Sequence, residues 1–125
     1  MKKSPANTKI LSIDIGGSGI KASLLDGDGH ILIDYKKTNT PPNANPEKVV
    51  SAILELVREF PAYDFVSAGF PGYVRDGVVH TAPNLDNESW KMHPFADTLA
   101  NALRKPARVV NDRSEERRVG KECLR

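Results

Sequence analysis

The stretch Asp14-Ile-Gly-Gly-Ser-Gly-Ile-Lys21 comes directly after an apolar, β-branched run, Ile10-Leu-Ser-Ile13. It sets a carboxylate at a strand end, then three glycines in a tight turn, with a hydroxyl and an ammonium close by. Glycine lacks a Cβ, so such a turn can take φ > 0 and bring backbone N–H groups close to a ligand. Successive N–H groups of this kind form an anion-binding concavity. Gly16, Gly17 and Gly19 supply that backbone, while Ser18 and Lys21 add a hydroxyl donor and a point charge for phosphate oxygens. Asp14 suits a hydrated Mg²⁺, which keeps several waters and takes one or two carboxylates. The stretch reads as a phosphate cradle.

Spacing excludes two other phosphate motifs. A P-loop needs G-x-x-x-x-G-K-[ST] before a helix, and Lys21 is followed by Ala-Ser outside any such frame. The dinucleotide fingerprint G-x-G-x-x-G also fails against Gly16-Gly-Ser-Gly19. Beyond the glycines runs Ile20-Lys-Ala-Ser-Leu-Leu25, in which Ile20, Ala22 and Leu24 alternate with Lys21 and Ser23. That is strand periodicity, closed by the turn-former Asp26-Gly-Asp-Gly29. The cradle therefore joins two strands of a hairpin.

Composition narrows the class. The 125 residues suffice for one modest domain. Of 18 basic and 16 acidic side chains, residues 113–125 hold five and three, which leaves 13 of each in the rest. The net charge of +2 is thus a property of the tail, and the body offers no basic patch for nucleic acid. Cys123, the single cysteine, lies in the same tail, so the body has neither a disulfide framework nor a thiol nucleophile. Met1-Lys-Lys3 is basic, but Ser4-Pro-Ala-Asn-Thr8 is no signal-peptide core, and no apolar run approaches membrane-spanning length. A soluble cytoplasmic protein with no membrane partner is expected, with residues 1–8 disordered.

Residues 9–112 read as alternating elements. His30-Ile-Leu-Ile-Asp-Tyr35 is a third strand; Asp26-Gly-Asp-Gly29 lacks the ligand pattern of a calcium loop and reads as a plain turn. Thr38–Asn45 is a polar, Pro-rich loop ending in Asn45 as N-cap and Pro46 as first helical residue. Val49, Val50, Ile53, Leu54, Val57 and Phe60 recur at helical spacing until Pro61. Phe65–Phe70 suits an inner strand, and Tyr73–His80 a hairpin turning at Asp76-Gly77. A second helix begins near Pro94 with Phe95, Leu99 and Leu103 on one face, before a last strand at Arg108–Val110. The order predicts an α/β lobe with a mixed sheet and flanking helices.

The glycine hairpin resembles the first phosphate motif of the actin-like sugar kinases, and more narrowly the ROK family (repressors, open reading frames and kinases). Within it, the polyphosphate- or ATP-dependent glucokinases are most similar. Gly69-Phe-Pro-Gly72, Ala82-Pro-Asn-Leu85 with Trp90, and Asn111-Asp112 resemble later ROK segments. The resemblance implies an actin-like, ribonuclease H-like ATPase lobe over residues 9–112, the N-terminal lobe of a two-lobe sugar kinase. It implies Mg²⁺, held by Asp14 through water, with ATP or polyphosphate as donor and a hexose, glucose first, as acceptor. Asp14, Gly16, Gly17, Ser18, Gly19 and Lys21 would bind phosphate. Gly72, Asn84, Asn111 and Asp112 would bind the sugar, with Asp112 as the general base that takes the proton from the sugar hydroxyl. Asn84 also suits an Asx-turn, and Trp90 either a sugar platform or a packing aromatic. A homodimeric parent is compatible with all of this.

Two alternatives accompany that expectation. Arg113-Ser-Glu-Glu-Arg-Arg-Val-Gly-Lys-Glu-Cys123 resembles an in-frame translation of a sequencing-library adapter, so residues 113–125 read as a non-native tail. The chain would then be a noncatalytic fragment of such a kinase, keeping partial phosphate and sugar sites. A ROK transcriptional repressor is the more distant alternative, because it needs a winged-helix domain ahead of the hairpin.

Overall fold

The computed structural model describes residues 8–83 and 85–111. Asn84, Asp112, the tail with Cys123 and the N-terminal residues 1–7 lie outside the described residues. In β1 (Lys9–Ile15), Leu11, Ile13 and Ile15 are buried, while Ser12 and Asp14 are half-buried on the other face. Strand β2 (Gly19–Asp26) repeats the pattern with Ile20, Ala22 and Leu24. The antiparallel register pairs Ile13 with Ala22 and Ile15 with Ile20, so both apolar rows face the same way. A one-residue slip would turn every one of these side chains to the opposite face.

Strand β3 (Ile31–Asn39) completes the meander as an edge strand. Its register with β2 shifts between Ala22 and Leu25, placing extra residues on β3 near Asp34 and Tyr35. The chain then crosses through α1 (Pro46–Leu56) to β4 (Phe65–Phe70), parallel to β1. A two-stranded hairpin comes next, β5 (Val74–Arg75) and β6 (Val78–Val79), then helices α2 (Asn87–Trp90) and α3 (Phe95–Leu103). The last strand, β7 (Ala107–Asn111), pairs parallel with β4. The sheet order β3-β2-β1-β4-β7 is mixed, as expected, with β1, β4 and β7 pointing the same way.

Both long helices cover one face of this sheet. Asn45 Oδ1 accepts the Lys48 N–H at 2.8 Å and Pro46 opens α1, which aims Val49 and Ile53 at the strands. From α3, Phe95, Leu99 and Leu103 meet the same core. Several local expectations change. Strand β3 runs on to Asn39, past the expected end at Tyr35 and into the stretch read as loop. The first helix ends at Leu56, not at Pro61: Val57 leaves helical geometry and a tight turn closes through the Phe60 N–H and Val57 carbonyl at 2.9 Å. Leu54 is 40% exposed, so the buried stripe is narrower than the apolar spacing suggests. The one-turn α2 carries no apolar periodicity and was not expected.

The expected hairpin turn is present. Asp76 and Gly77 take φ of 53° and 80°, the left-handed pair a type I′ turn requires. A Cβ on Gly77 would also stand 2.7 Å from Ala96 Cβ, so the turn packs closely on α3. Beside it, His93 pairs with Val79 through an isolated bridge and bonds Thr98 Oγ1 through Nε2 at 2.9 Å. Burial holds its imidazole below the usual histidine value. The neutral ring therefore belongs to the folded state, and the unfolded chain takes up the proton first. Stability should be intact above a pH of roughly 6.5 and fall as pH drops from there toward the lowered native value. Urea unfolding across that window should show a steeper loss in wild type than in His93→Gln; identical slopes would contradict the assignment.

Candidate functional site

Three chain segments meet where β1, β4 and β7 end. The glycine turn leaves β1 after Ile15, the Pro71-Gly72 turn leaves β4 after Phe70, and Asn111 closes β7. Because the strands are parallel and adjacent, their carboxyl ends share one edge of the sheet. In open α/β sheets that edge is where ligands bind. The order places the glycine turn on the β2–β1 side and Gly72 with Asn111 on the β4–β7 side.

The glycine turn is held tightly, by contacts few of which the sequence reveals. The Gly16 N–H donates to the Gly19 carbonyl at 2.8 Å, closing the hairpin on itself. Thr40, in the loop after β3, fastens the turn twice: its Oγ1 donates to the Gly16 carbonyl at 2.7 Å and its N–H to the Ser18 carbonyl at 3.2 Å. Gly17 and Ser18 form the exposed tip. The expectation of φ > 0 in this turn does not hold; among the described glycines, only Gly29 and Gly77 take such angles. Close approach is the requirement instead, since a Cβ on Gly16 would stand 3.1 Å from the Gly19 carbonyl oxygen. Thr40 was missed because a lone threonine 24 residues away in a Pro-rich loop carries no local signal.

Asp14 and Lys21 are direct cross-strand partners, and Asp14 registers with Gly69 on its other side. All three positions belong to the sheet face opposite the helices. Lys21 reaches outward, with Nζ 5.2 Å from the centroid of the Tyr35 ring. Asp14 is half-buried and has a glycine beside it, which leaves room on that flank. One such carboxylate fits Mg²⁺, which commonly takes one or two carboxylates and fills its remaining positions with water and phosphate oxygens. The cluster Asp26, Asp28 and His30 is remote from this edge. It stands at the opposite end of β2, about 23 Å away at the usual rise per residue. There the Asp26 carboxylate caps the turn by accepting the Asp28 and His30 N–H groups, each at 2.9 Å. Those bonds, that of His30 above all, lower its pKa.

On the other side, Asn111 Nδ2 donates to the Gly72 carbonyl and so ties the end of β7 to the turn after β4. Gly72 is fixed by packing as well: a Cβ there would overlap the Thr81 carbonyl, with the carbonyl carbon at 2.9 Å. Trp90 is a packing aromatic. It is fully buried, with ring centroids 4.7 Å from Phe70 and 4.8 Å from Phe95, and its Nε1 donates to the Ala44 carbonyl at 2.7 Å. A sugar platform would have to be exposed, so that alternative falls. Asn84 and Asp112 are outside the described residues, while Pro83, Leu85 and Asn111 beside them are placed. Leu85 N–H closes a turn on the Ala82 carbonyl at 3.0 Å, and Asn87 Oδ1 accepts the Ala82 N–H at 2.7 Å.

Residues 10–115 match the ROK family. The chain belongs to the ROK family. Like its solved members, it has an actin-like ATPase fold. The ROK chain is 40% identical over 92 residues to polyphosphate glucokinase of Mycobacterium tuberculosis, an alignment covering 73% of this chain and 34% of that protein. The crystal structure of inorganic polyphosphate/ATP-glucomannokinase from Arthrobacter sp. strain KM superposes with a TM-score of 0.76 at 36% identity, covering 85% of this chain and 45% of the other. A ROK family glucokinase from Streptomyces griseus, solved with glucose and AMPPNP, gives a TM-score of 0.71 at 36% identity over 83% and 33% of the two chains. The chain spans about a third of the length of the curated relatives it matches.

Thr40→Val keeps the side-chain volume and removes the bond to Gly16. It should lower unfolding free energy by about 1 kcal/mol, read by urea titration. Gly72→Ala forces backbone against Thr81 and should cost roughly 1–3 kcal/mol, visible as a lowered melting temperature. An unchanged melting temperature would contradict the packing described.

Proposed function

We propose that the protein to which this chain belongs is a cytoplasmic sugar kinase that transfers a phosphoryl group from ATP or inorganic polyphosphate to a hexose, with glucose the leading acceptor. The observation that carries the reading is the convergence of the glycine turn, the Pro71-Gly72 turn and Asn111 on one sheet edge. Family membership and the similarity to polyphosphate glucokinases support it. Residues 9–112 are taken as the N-terminal lobe of that kinase, and 113–125 as a segment outside it.

In this reading the amides of Gly17, Ser18 and Gly19 cradle the donor phosphates, with the Gly16 N–H closing the turn on the Gly19 carbonyl behind them, and Ser18 Oγ with Lys21 Nζ adds a donor and a charge. Asp14 would hold Mg²⁺ through water, and the ion when bound would offset phosphate charge. Gly72, Asn84 and Asn111 shape the acceptor side, where Asn84 and Asn111 position sugar hydroxyls. Asp112 accepts the proton as the hydroxyl oxygen attacks the terminal phosphorus; the bond to the bridging oxygen breaks, releasing ADP or a shortened polyphosphate. Positioned proton transfer contributes typically ~10²–10⁴-fold. The rest of the acceleration comes from alignment and charge stabilisation, as in other phosphoryl transfers.

Asp112→Asn in the whole protein should therefore lower kcat by about 10²–10⁴-fold while glucose binding, followed by calorimetry, stays within a few-fold of wild type. A coupled assay of glucose 6-phosphate formation, run with ATP and with polyphosphate, reads kcat and separates the two donors. Turnover at the wild-type rate in Asp112→Asn would sink the base assignment.

A further inference from the structure

Thr40 does more at the glycine turn than fasten it, because its two bonds decide which way two of the turn's amides face. Its hydroxyl donates to the Gly16 carbonyl at 2.7 Å and its N–H to the Ser18 carbonyl at 3.2 Å. A β-turn often bonds the carbonyl of its first residue to the N–H of its fourth. Here the backbone bond that closes the turn runs the other way, from the Gly16 N–H to the Gly19 carbonyl at 2.8 Å. The carbonyl and N–H of one trans peptide are coplanar and point in opposite directions. Drawing the Gly16 carbonyl to Thr40 therefore turns the Gly17 N–H away from Thr40. Drawing the Ser18 carbonyl there does the same to the Gly19 N–H.

These peptides need an outside hold. Gly16 and Gly17 carry no Cβ, so the backbone itself offers the peptide between them little resistance to rotation. Packing does not supply the direction either. The Lys37 stem lies by the turn, with Cε 3.6 Å from where a Cβ on Gly19 would be, but a methylene cannot orient a peptide plane. A hydroxyl bonded to a carbonyl can.

The group that holds must itself be held, and the loop carrying Thr40 is. Pro41 follows directly and restricts Thr40 to extended backbone. Further along, the buried Ala44 accepts two bonds on its carbonyl, from Trp90 Nε1 at 2.7 Å and from the Asp86 N–H at 3.3 Å. Asn45 then caps α1 through the Lys48 N–H. Thr40 thus stands, half-buried, between the end of β3 and a loop fixed on the core.

We propose that Thr40 is a positioning residue for phosphoryl transfer: acting through the Gly16 and Ser18 carbonyls, it keeps the Gly17 and Gly19 amides in the direction from which they meet the donor's phosphate oxygens. This rests on the reading of the turn as the phosphate site, and adds that the aim of two amides is set by one threonine outside the turn. Donors held in place beforehand need no rearrangement when charge develops on the phosphoryl oxygens.

Steady-state kinetics of the whole protein tests it, with wild type compared to Thr40→Val and Thr40→Ser. Valine keeps the volume and the backbone N–H but loses the hydroxyl, whereas serine keeps the hydroxyl. Thr40→Val should lower kcat/KM for the phosphoryl donor about three- to tenfold, the worth of one hydrogen bond. Hexose binding without donor, followed by calorimetry, should stay within about twofold of wild type, and Thr40→Ser should recover donor kcat/KM to within about twofold. Thr40→Ala removes the same hydroxyl and gives the same reading should the valine variant not fold. Assays run below every variant's unfolding transition keep lost stability out of the comparison. Equal losses in hexose affinity and donor kcat/KM would mean general loosening and overturn the assignment. Valine at the wild-type rate, or serine no better than valine, would overturn it too. Each of those results leaves wild-type turnover, and so the kinase reading, intact. A wild-type protein that phosphorylates no hexose from either donor would overturn both.

Discussion

The bond from Trp90 Nε1 to the Ala44 carbonyl joins the core to the site. An indole buried between Phe70 and Phe95 must place its one N–H on an acceptor. It finds one 46 residues away, at 2.7 Å, in the loop between β3 and α1. The next residue, Asn45, caps α1, and Thr40, nearer the start of that loop, fastens both Gly16 and Ser18. A loop of polar and proline residues thus becomes a rigid strut. One end is set by an aromatic core, and the other sets the position of the glycine turn.

That dependence explains which features were legible in the sequence. Alternation in Ile20–Leu25 and helical spacing from Val49 to Ile53 are local signals, and each produced the element it predicted. The Asp76-Gly77 turn and the Asn45-Pro46 helix start are local too, since their chemistry is contained within a few residues. The end of α1 was misplaced because Phe60 packs on the core from a turn, and apolar spacing alone cannot tell that from another helical turn.

The site divides in the same way. Asp14, the glycines and Lys21 lie in one octapeptide, so their pattern could be read directly. Thr40 and Lys37 reach the turn only through the β2–β3 register, and that register contains irregular pairings no periodicity reveals. Trp90 was ambiguous for another reason: an aromatic that stacks on a sugar and one that fills a core are the same residue type. Burial separates them, and burial is a tertiary property. Asn111 shows the limit from the other side. Its amide is tied to the Gly72 carbonyl, a contact 39 residues apart, and that bond holds together the two strand ends between which an acceptor would lie.

The two flanks of the sheet edge are built by different physics, and this separates their roles. On the β4–β7 side, Gly72 is packed against Thr81 and accepts the Asn111 amide, so the backbone there is fixed. That suits recognition of a neutral polyol, whose hydroxyls demand defined geometry. On the β2–β3 side, Lys21 on β2 and Lys37 on the outer strand β3 are exposed. Charge there acts over a Debye length and tolerates variation in the ligand's position, which suits a flexible polyanion. The glycine turn lies between them, fastened by Thr40, where a phosphoryl group would have to pass from the tolerant flank to the exacting one.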